Sequence, residues 1–375
     1  MPAICFNIVS KRRASPLAFA NVNDFKLQQS GNVSPQIILE NPDITLYSLD
    51  FQANQGIFVE TPPAINLSEA PFLYDAQYEH ATRVFAVPFG LMVQLAKSIQ
   101  LNPAQLIFLH SVGRAGSTLA GQICSKVKGV INISEPEALT WLVPAKLANP
   151  GIEAELIMFF DACIRFLCKT PVQTAWVIKG RSFVIELGDW IYKKYPGSKN
   201  IFLYRDAETW LKSSLQAYTF ELPEAEMREQ EKNLKRNLSP LVPRIAKYNK
   251  SHHLTTAEII SLMWLSVMDR YMRLHDMGFE MMAIRFENWN VAPRETAIAM
   301  LEYCGLNIDD AALDNALSRD SQAGTHLSRE TLSKKGYNLR EEDIRQLKQL
   351  LHDHPVIQTP DYMVPNTMPL ANKYK

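Results

Sequence analysis

The sequence predicts an α/β protein: a mostly parallel sheet flanked by helices, preceded by a smaller N-terminal α+β region. Three observations carry this. Short apolar runs recur at 106–109, 130–133, 175–178, 201–204 and 281–286, with longer helical stretches between several of them. That alternation is what a parallel sheet covered by helices produces. The first run passes through a glycine-bracketed loop, Gly113-Arg114-Ala115-Gly116, into a helical pattern with Leu119, Ile123 and Val127 on its apolar face. Residues 1–100 lack this alternation and read as short strands and turns, so two regions are expected: 1–100, of no assigned role, and 101–375.

Within residues 1–100, the runs 44–47 and 56–59 read as strands, and 76–83 and 88–98 as helices. Further on, the pattern over about 257–274 gives the clearest helix. Thr255 and Glu258 stand at capping-box spacing at its start. Residues 295–304 form a second helix closed by Gly305, the expected residue past a helix end. Residues 341–352 form the last, with Ile344, Leu347 and Leu350 on one face. The charged segment 223–250, with Pro223, Pro240 and Pro243, reads as one helix and a broken loop, either a solvated connector or a lid.

Composition excludes several classes. The 375 residues are 47% hydrophobic, enough for a large core, and 39 basic residues balance 39 acidic ones. A neutral chain offers no global electrostatic case for nucleic acid or an anionic membrane. Cysteines at 5, 124, 163, 168 and 304 are odd in number and irregular in spacing, so neither a disulfide framework nor a zinc site is indicated. The mildly apolar residues 1–10 precede Lys11-Arg12-Arg13, the wrong order for a secretory signal. The apolar stretch 156–168 contains Asp161 and Arg165 and is too short to span a bilayer. A cytoplasmic protein with no membrane span is expected.

Ligands of an open parallel sheet sit beyond the carboxyl ends of its strands. Four strand ends carry charge: Arg114; Glu135 and Glu137; Lys179 and Arg181; Arg205 and Asp206. The Arg114 loop has the character of a phosphate cradle. Glycines allow a tight turn and close approach, a helix start offers free N–H groups, and Ser117 and Thr118 add hydroxyls. It lacks the Gly-Lys-Ser/Thr of a Walker loop. Ser213, eight positions after Arg205 on the following helix, lets a guanidinium and a hydroxyl grip one phosphate.

These residues resemble the sulfotransferases that use 3′-phosphoadenosine-5′-phosphosulfate (PAPS). Val112-Gly113-Arg114-Ala115-Gly116-Ser117-Thr118-Leu119 looks like their 5′-phosphosulfate loop. Phe202-Leu203-Tyr204-Arg205-Asp206 with Ser213 looks like their 3′-phosphate motif, and Ile284-Arg285-Phe286-Glu287-Asn288-Trp289 is similar to an element following a long helix in that family. The resemblance spans about residues 104–335. It implies that Gly113, Ala115, Gly116, Ser117 and Thr118 bind the phosphosulfate. Arg114 would stabilise the bridging oxygen as the sulfuryl group leaves, and Arg205 and Ser213 would hold the 3′-phosphate. Ser321 and Arg329 fall in a late cofactor segment, 321–329, that departs from the cytosolic pattern.

Transfer to a hydroxyl needs a base. Where cytosolic members place a histidine after lysine and threonine, this chain reads Lys179-Gly180-Arg181, and arginine is a poor base. Glu135, 21 residues after Arg114, stands much as the catalytic glutamate of tyrosylprotein and heparan-type members does. Glu137 and His110 are the other candidates, and Lys179 would support the transferring group. His252-His253 lacks a third ligand for a metal.

The leading expectation is therefore metal-free sulfuryl transfer from PAPS to an acceptor hydroxyl of unassigned class. The alternatives are a kinase-like phosphotransferase and a non-catalytic nucleotide-binding or interaction protein on the same fold. Oligomeric state is not legible.

Overall fold

The computed structural model describes residues 2–13, 18–171, 174–218, 224–248, 253–325, 327–334 and 339–369. They build an α/β protein with two five-stranded sheets. The first is antiparallel, in the order β2-β1-β5-β4-β3, from β1 (Ala3–Lys11), β2 (Phe25–Val33), β3 (Ile44–Asp50), β4 (Gln55–Glu60) and β5 (Arg83–Pro88). The second has the order β10-β9-β6-β8-β7, from β6 (Leu106–Ser111), β7 (Val130–Ser134), β8 (Ala175–Lys179), β9 (Lys199–Tyr204) and β10 (Met282–Arg285). The β7–β8 and β9–β10 pairings are parallel. All five apolar runs read after residue 100 are its strands.

The chain divides into two compact units, each made of several segments. One holds Met1–Ile107, Lys128–Gly180 and Trp190–Ser198. The other holds Phe108–Val127, Arg181–Asp189 and Lys199–Lys375.

In the first unit the antiparallel sheet is more extensive than expected. The runs 44–47 and 56–59 fall in β3 and β4, but β1, β2 and β5 were not read as strands. The β1–β2 register slips twice, Ser30 being the extra residue in β2 and Val9 the extra residue in β1, so the pairing pattern is interrupted on both strands. The expected helix over 76–83 is corrected to Leu73–His80. Arg83 instead opens β5, whose Val84, Phe85, Ala86 and Val87 are buried between β1 and β4. Beta-branched and aromatic residues with a partner strand on both sides favour the sheet over a third helical turn. The stretch 156–168 lies in the helix Glu153–Leu167. Among the described residues, no helix is long and apolar enough to cross a membrane.

In the second unit the helix Thr256–Asp276 begins with the expected box: Glu258 N–H donates to Thr255 Oγ1 at 3.2 Å, and Thr255 N–H to Glu258 Oε2 at 2.8 Å. The helix Pro293–Tyr303 is followed by Gly305 at φ +67°, and the last helix runs Glu341–His352 as expected, with Asp343, Leu347 and Leu351 buried and Ile344 and Leu350 only half-buried. The segment 223–250 contains a helix at Glu224–Leu238 and a short one at Pro243–Ala246; Pro223, Asn249 and the loop's final residue, Lys250, lie outside the described residues.

Candidate anion-binding site

The site begins where β6 ends. Val112 N–H donates to Leu203 O at 3.1 Å, extending the β6–β9 pairing by one residue. The backbone then turns sharply: Gly113 has φ +77°, Arg114 +48° and Gly116 +86°. Left-handed backbone is open to glycine and strained for arginine. Gly116 caps the helix Ser117–Ser125, which has no side-chain cap, so Ser117 is its first residue and not its cap. A Cβ on Gly116 would lie 3.1 Å from the Trp289 ring, a tight contact, at a φ that is strained for any other residue. The loop is held from behind by Trp210 Nε1, which donates to Gly113 O at 2.8 Å, and by Gly113 N–H on Ser111 Oγ at 3.1 Å.

Two guanidiniums converge on this loop. Arg114 Nε donates to Ser213 Oγ at 3.2 Å. Arg205 Nε donates to Thr209 Oγ1 at 3.1 Å, and its guanidinium lies 4.4 Å above the centre of the Phe286 ring. Trp264 Nε1 fixes the Arg205 carbonyl at 3.1 Å. Burial, together with the Arg114 charge, pushes Arg205 below the ordinary arginine range, against the opposing pull of Glu287 and Asp206. Ser213, read in the sequence beside Arg205, thus meets Arg114, and Arg205 meets Thr209.

The late segment also reaches the loop helix. Gln122 Nε2 donates to Ser321 O at 2.8 Å, and Gln322 Nε2 to Thr118 Oγ1 at 3.2 Å. Gln322 was missed in the sequence, because a lone glutamine carries no motif. Arg329 is exposed at the start of the short helix Arg329–Ser333, its N–H bonded to Asp320 Oδ2 at 2.8 Å. His326 lies outside the described residues.

The first unit holds the acid–base candidates. Glu135 follows β7 at φ +57°, a second strained non-glycine residue, with its N–H on Lys179 O at 2.6 Å. Lys179 Nζ donates to Glu135 Oε1 at 2.6 Å, lies 3.5 Å from Ser134 Oγ, and sits 5.4 Å from the centre of the Phe72 ring. The lysine side chain is 3% exposed and the glutamate 16%. Glu137 opens the helix Glu137–Ala148, is wholly buried, and accepts the Ala20 N–H at 3.0 Å. Its carboxylate ties down the N-terminal segment.

His110, in the second unit, is buried beside Phe108 and Phe279. Burial outweighs a hydrogen bond with Asn200 and lowers its pKa to about 4. The unfolded chain then takes up this proton first as pH falls. The His110 contribution is therefore complete above about pH 6.5 and drains away towards pH 4, by roughly 3 kcal/mol in all. Urea midpoints at pH 7 and pH 4 should show a smaller acid loss in His110→Gln than in the unaltered protein; equal losses would refute a buried neutral imidazole.

His253 meets Glu231, Nε2 to Oε2 at 3.2 Å, while His252 lies outside the described residues. The five cysteines are free and buried.

No family model matches the sequence, and no curated protein matches it. Solved structures do. A sulfotransferase from Mycobacterium tuberculosis is 11% identical, covering 69% of this chain and 82% of its own, with a TM-score of 0.37. A mouse sulfotransferase complexed with PAP is 11% identical, covering 70% of this chain and 88% of its own, at 0.38. A retinol dehydratase in complex with androsterone and inactive cofactor PAP is 14% identical, covering 68% and 74%, at 0.27. Likenesses this low leave the chemistry to be read from the residues themselves.

Proposed function

We propose that this protein is a sulfotransferase, moving the sulfuryl group of PAPS to an acceptor hydroxyl. The observation that carries the reading is the pair of guanidiniums, Arg114 and Arg205, set on a glycine turn and just past the end of β9. Two fixed cations beside hydroxyls and a helix N-terminus suit a ligand with two separate phosphate-type groups.

In this reading Gly113, Ala115, Gly116, Ser117 and Thr118 bind the 5′-phosphosulfate, through main-chain N–H groups and hydroxyls. Arg114 stabilises the charge that gathers on the bridging oxygen. Arg205 and Ser213 hold the 3′-phosphate, and Ser321 and Arg329 belong to the segment that closes on the nucleotide. Glu135 accepts the acceptor's proton as its oxygen bonds to sulfur and the bridging S–O bond breaks, releasing 3′,5′-adenosine bisphosphate. Lys179 orients that carboxylate and adds positive charge for the transferring group. Cations supplied by side chains take the part that a metal plays in phosphoryl transfer.

The test is ligand selectivity. 3′,5′-Adenosine bisphosphate should raise the melting temperature much more than 5′-AMP or ATP. Arg205→Ala should weaken bisphosphate binding by about 1.5–3 kcal/mol, the range for charge-assisted hydrogen bonds. Equal shifts with AMP and the bisphosphate would remove the assignment.

A further inference from the structure

Arg114 and Arg205, both in the second unit, are held alike. Each gives its Nε–H to a hydroxyl of the helix Ala207–Tyr218: Arg205 to Thr209 at 3.1 Å and Arg114 to Ser213 at 3.2 Å. Thr209 and Ser213 are four residues apart, so they share one helix face a turn apart. Neither guanidinium has a further hydrogen-bond partner for its terminal nitrogens among the described residues.

Arg205 is fixed at two more points. Its Cζ lies over the Phe286 ring, 4.4 Å from the ring centre. The same ring lies beside the loop, its Cδ2 3.6 Å from where a Gly116 Cβ would be. Thr209 is oriented in turn: its hydroxyl donates to Asp206 O at 3.1 Å, which turns a lone pair towards Arg205 Nε, and its N–H is capped by Asp206 Oδ1 at 2.9 Å. A long side chain without such anchors samples many rotamers. Held by its face and its Nε, it presents one edge, the pair of terminal nitrogens, in the geometry that grips two phosphate oxygens.

We propose that Thr209 and Phe286 are positioning residues that present the Arg205 fork to the 3′-phosphate of the nucleotide. The inference rests on the nucleotide reading above and adds to it the source of 3′-phosphate selectivity. Pre-ordering the fork lowers the entropy lost on binding and acts on affinity. It does not touch the reacting atoms, so it should leave turnover at saturating donor unchanged.

The experiment compares dissociation constants for 3′,5′-adenosine bisphosphate and for adenosine 5′-phosphosulfate, which lacks the 3′-phosphate. Thr209→Val keeps the shape of an exposed side chain and removes the acceptor; Phe286→Leu keeps bulk and removes the ring face. Each should weaken the bisphosphate roughly 5- to 20-fold, as lost charged hydrogen bonds and cation–π contacts do; Thr209→Val, which lies away from the glycine turn, should leave the phosphosulfate constant unchanged. Thr209→Ser and Phe286→Tyr should restore most of the affinity. Equal weakening of both ligands by Thr209→Val, or Thr209→Ser behaving like Thr209→Val, would overturn the positioning role alone. An unaltered protein with no preference for the bisphosphate would overturn the nucleotide reading and this inference with it.

Discussion

Replacing Glu135 by glutamine should cut single-turnover sulfuryl transfer roughly 10²–10⁴-fold, the usual worth of a general base. Bisphosphate affinity should barely change. Glutamine keeps the shape of the side chain and an oxygen for Lys179 Nζ, now 2.6 Å from Glu135 Oε1, but it cannot take a proton. The position carries a second signature. Glu135 sits at φ +57°, where a side chain costs about 1–3 kcal/mol unless the surroundings hold it. Glu135→Gly should lose the same activity; it relieves that strain but leaves the buried Lys179 ammonium without its carboxylate, so the melting temperature should fall. Of the three proton acceptors the sequence offered, Glu137 is wholly buried on Ala20 N–H and His110 is buried among aromatic rings. Full turnover in Glu135→Gln would place the base elsewhere and end the analogy with glutamate-using members.

The second large effect is at Arg114. Arg114→Ala should lower turnover about 10³-fold, comparable to losing a preorganised charge aimed at a leaving oxygen, and should weaken donor binding as well. The variant separates chemistry from folding. Alanine meets the same left-handed strain at φ +48°, and the loop keeps its anchors through Trp210 and Ser111, so the urea midpoint should hold. It also leaves Ser213 free of its Nε donor and Arg205 free of a neighbouring like charge. Single-turnover rates at saturating donor, with melting curves in parallel, measure both. A variant that folds and turns over normally would mean that Arg114 is a structural link to Ser213 and no more.

What the sequence held by itself was local. The parallel strands were legible because each is a short run buried on both sides, and β6 is buried at every position. The glycine turn was legible because left-handed backbone and a close approach to Trp289 favour glycine at 116. The helix Thr256–Asp276 announced itself through Thr255 and Glu258, three residues apart. The antiparallel sheet was not legible to the same degree, because register slips interrupt the pattern in both β1 and β2 and β5 gains its strand character from neighbours on both sides.

The pairings within the site belong to the tertiary structure. Nothing local says that Ser213 receives Arg114 Nε across 99 residues, that Thr209 and Phe286 clamp Arg205, or that Gln322 reaches Thr118 across 204. The same holds for Lys179, whose ammonium meets Glu135 44 residues away in sequence, and for Glu137, whose carboxylate is spent on Ala20 N–H. Backbone conformation answers to the residue itself and its near neighbours, so glycine, capping and periodicity write it into the sequence. A long polar side chain answers to whichever donor, acceptor or ring packing brings within about 3–5 Å, and that is decided only when distant segments fold together.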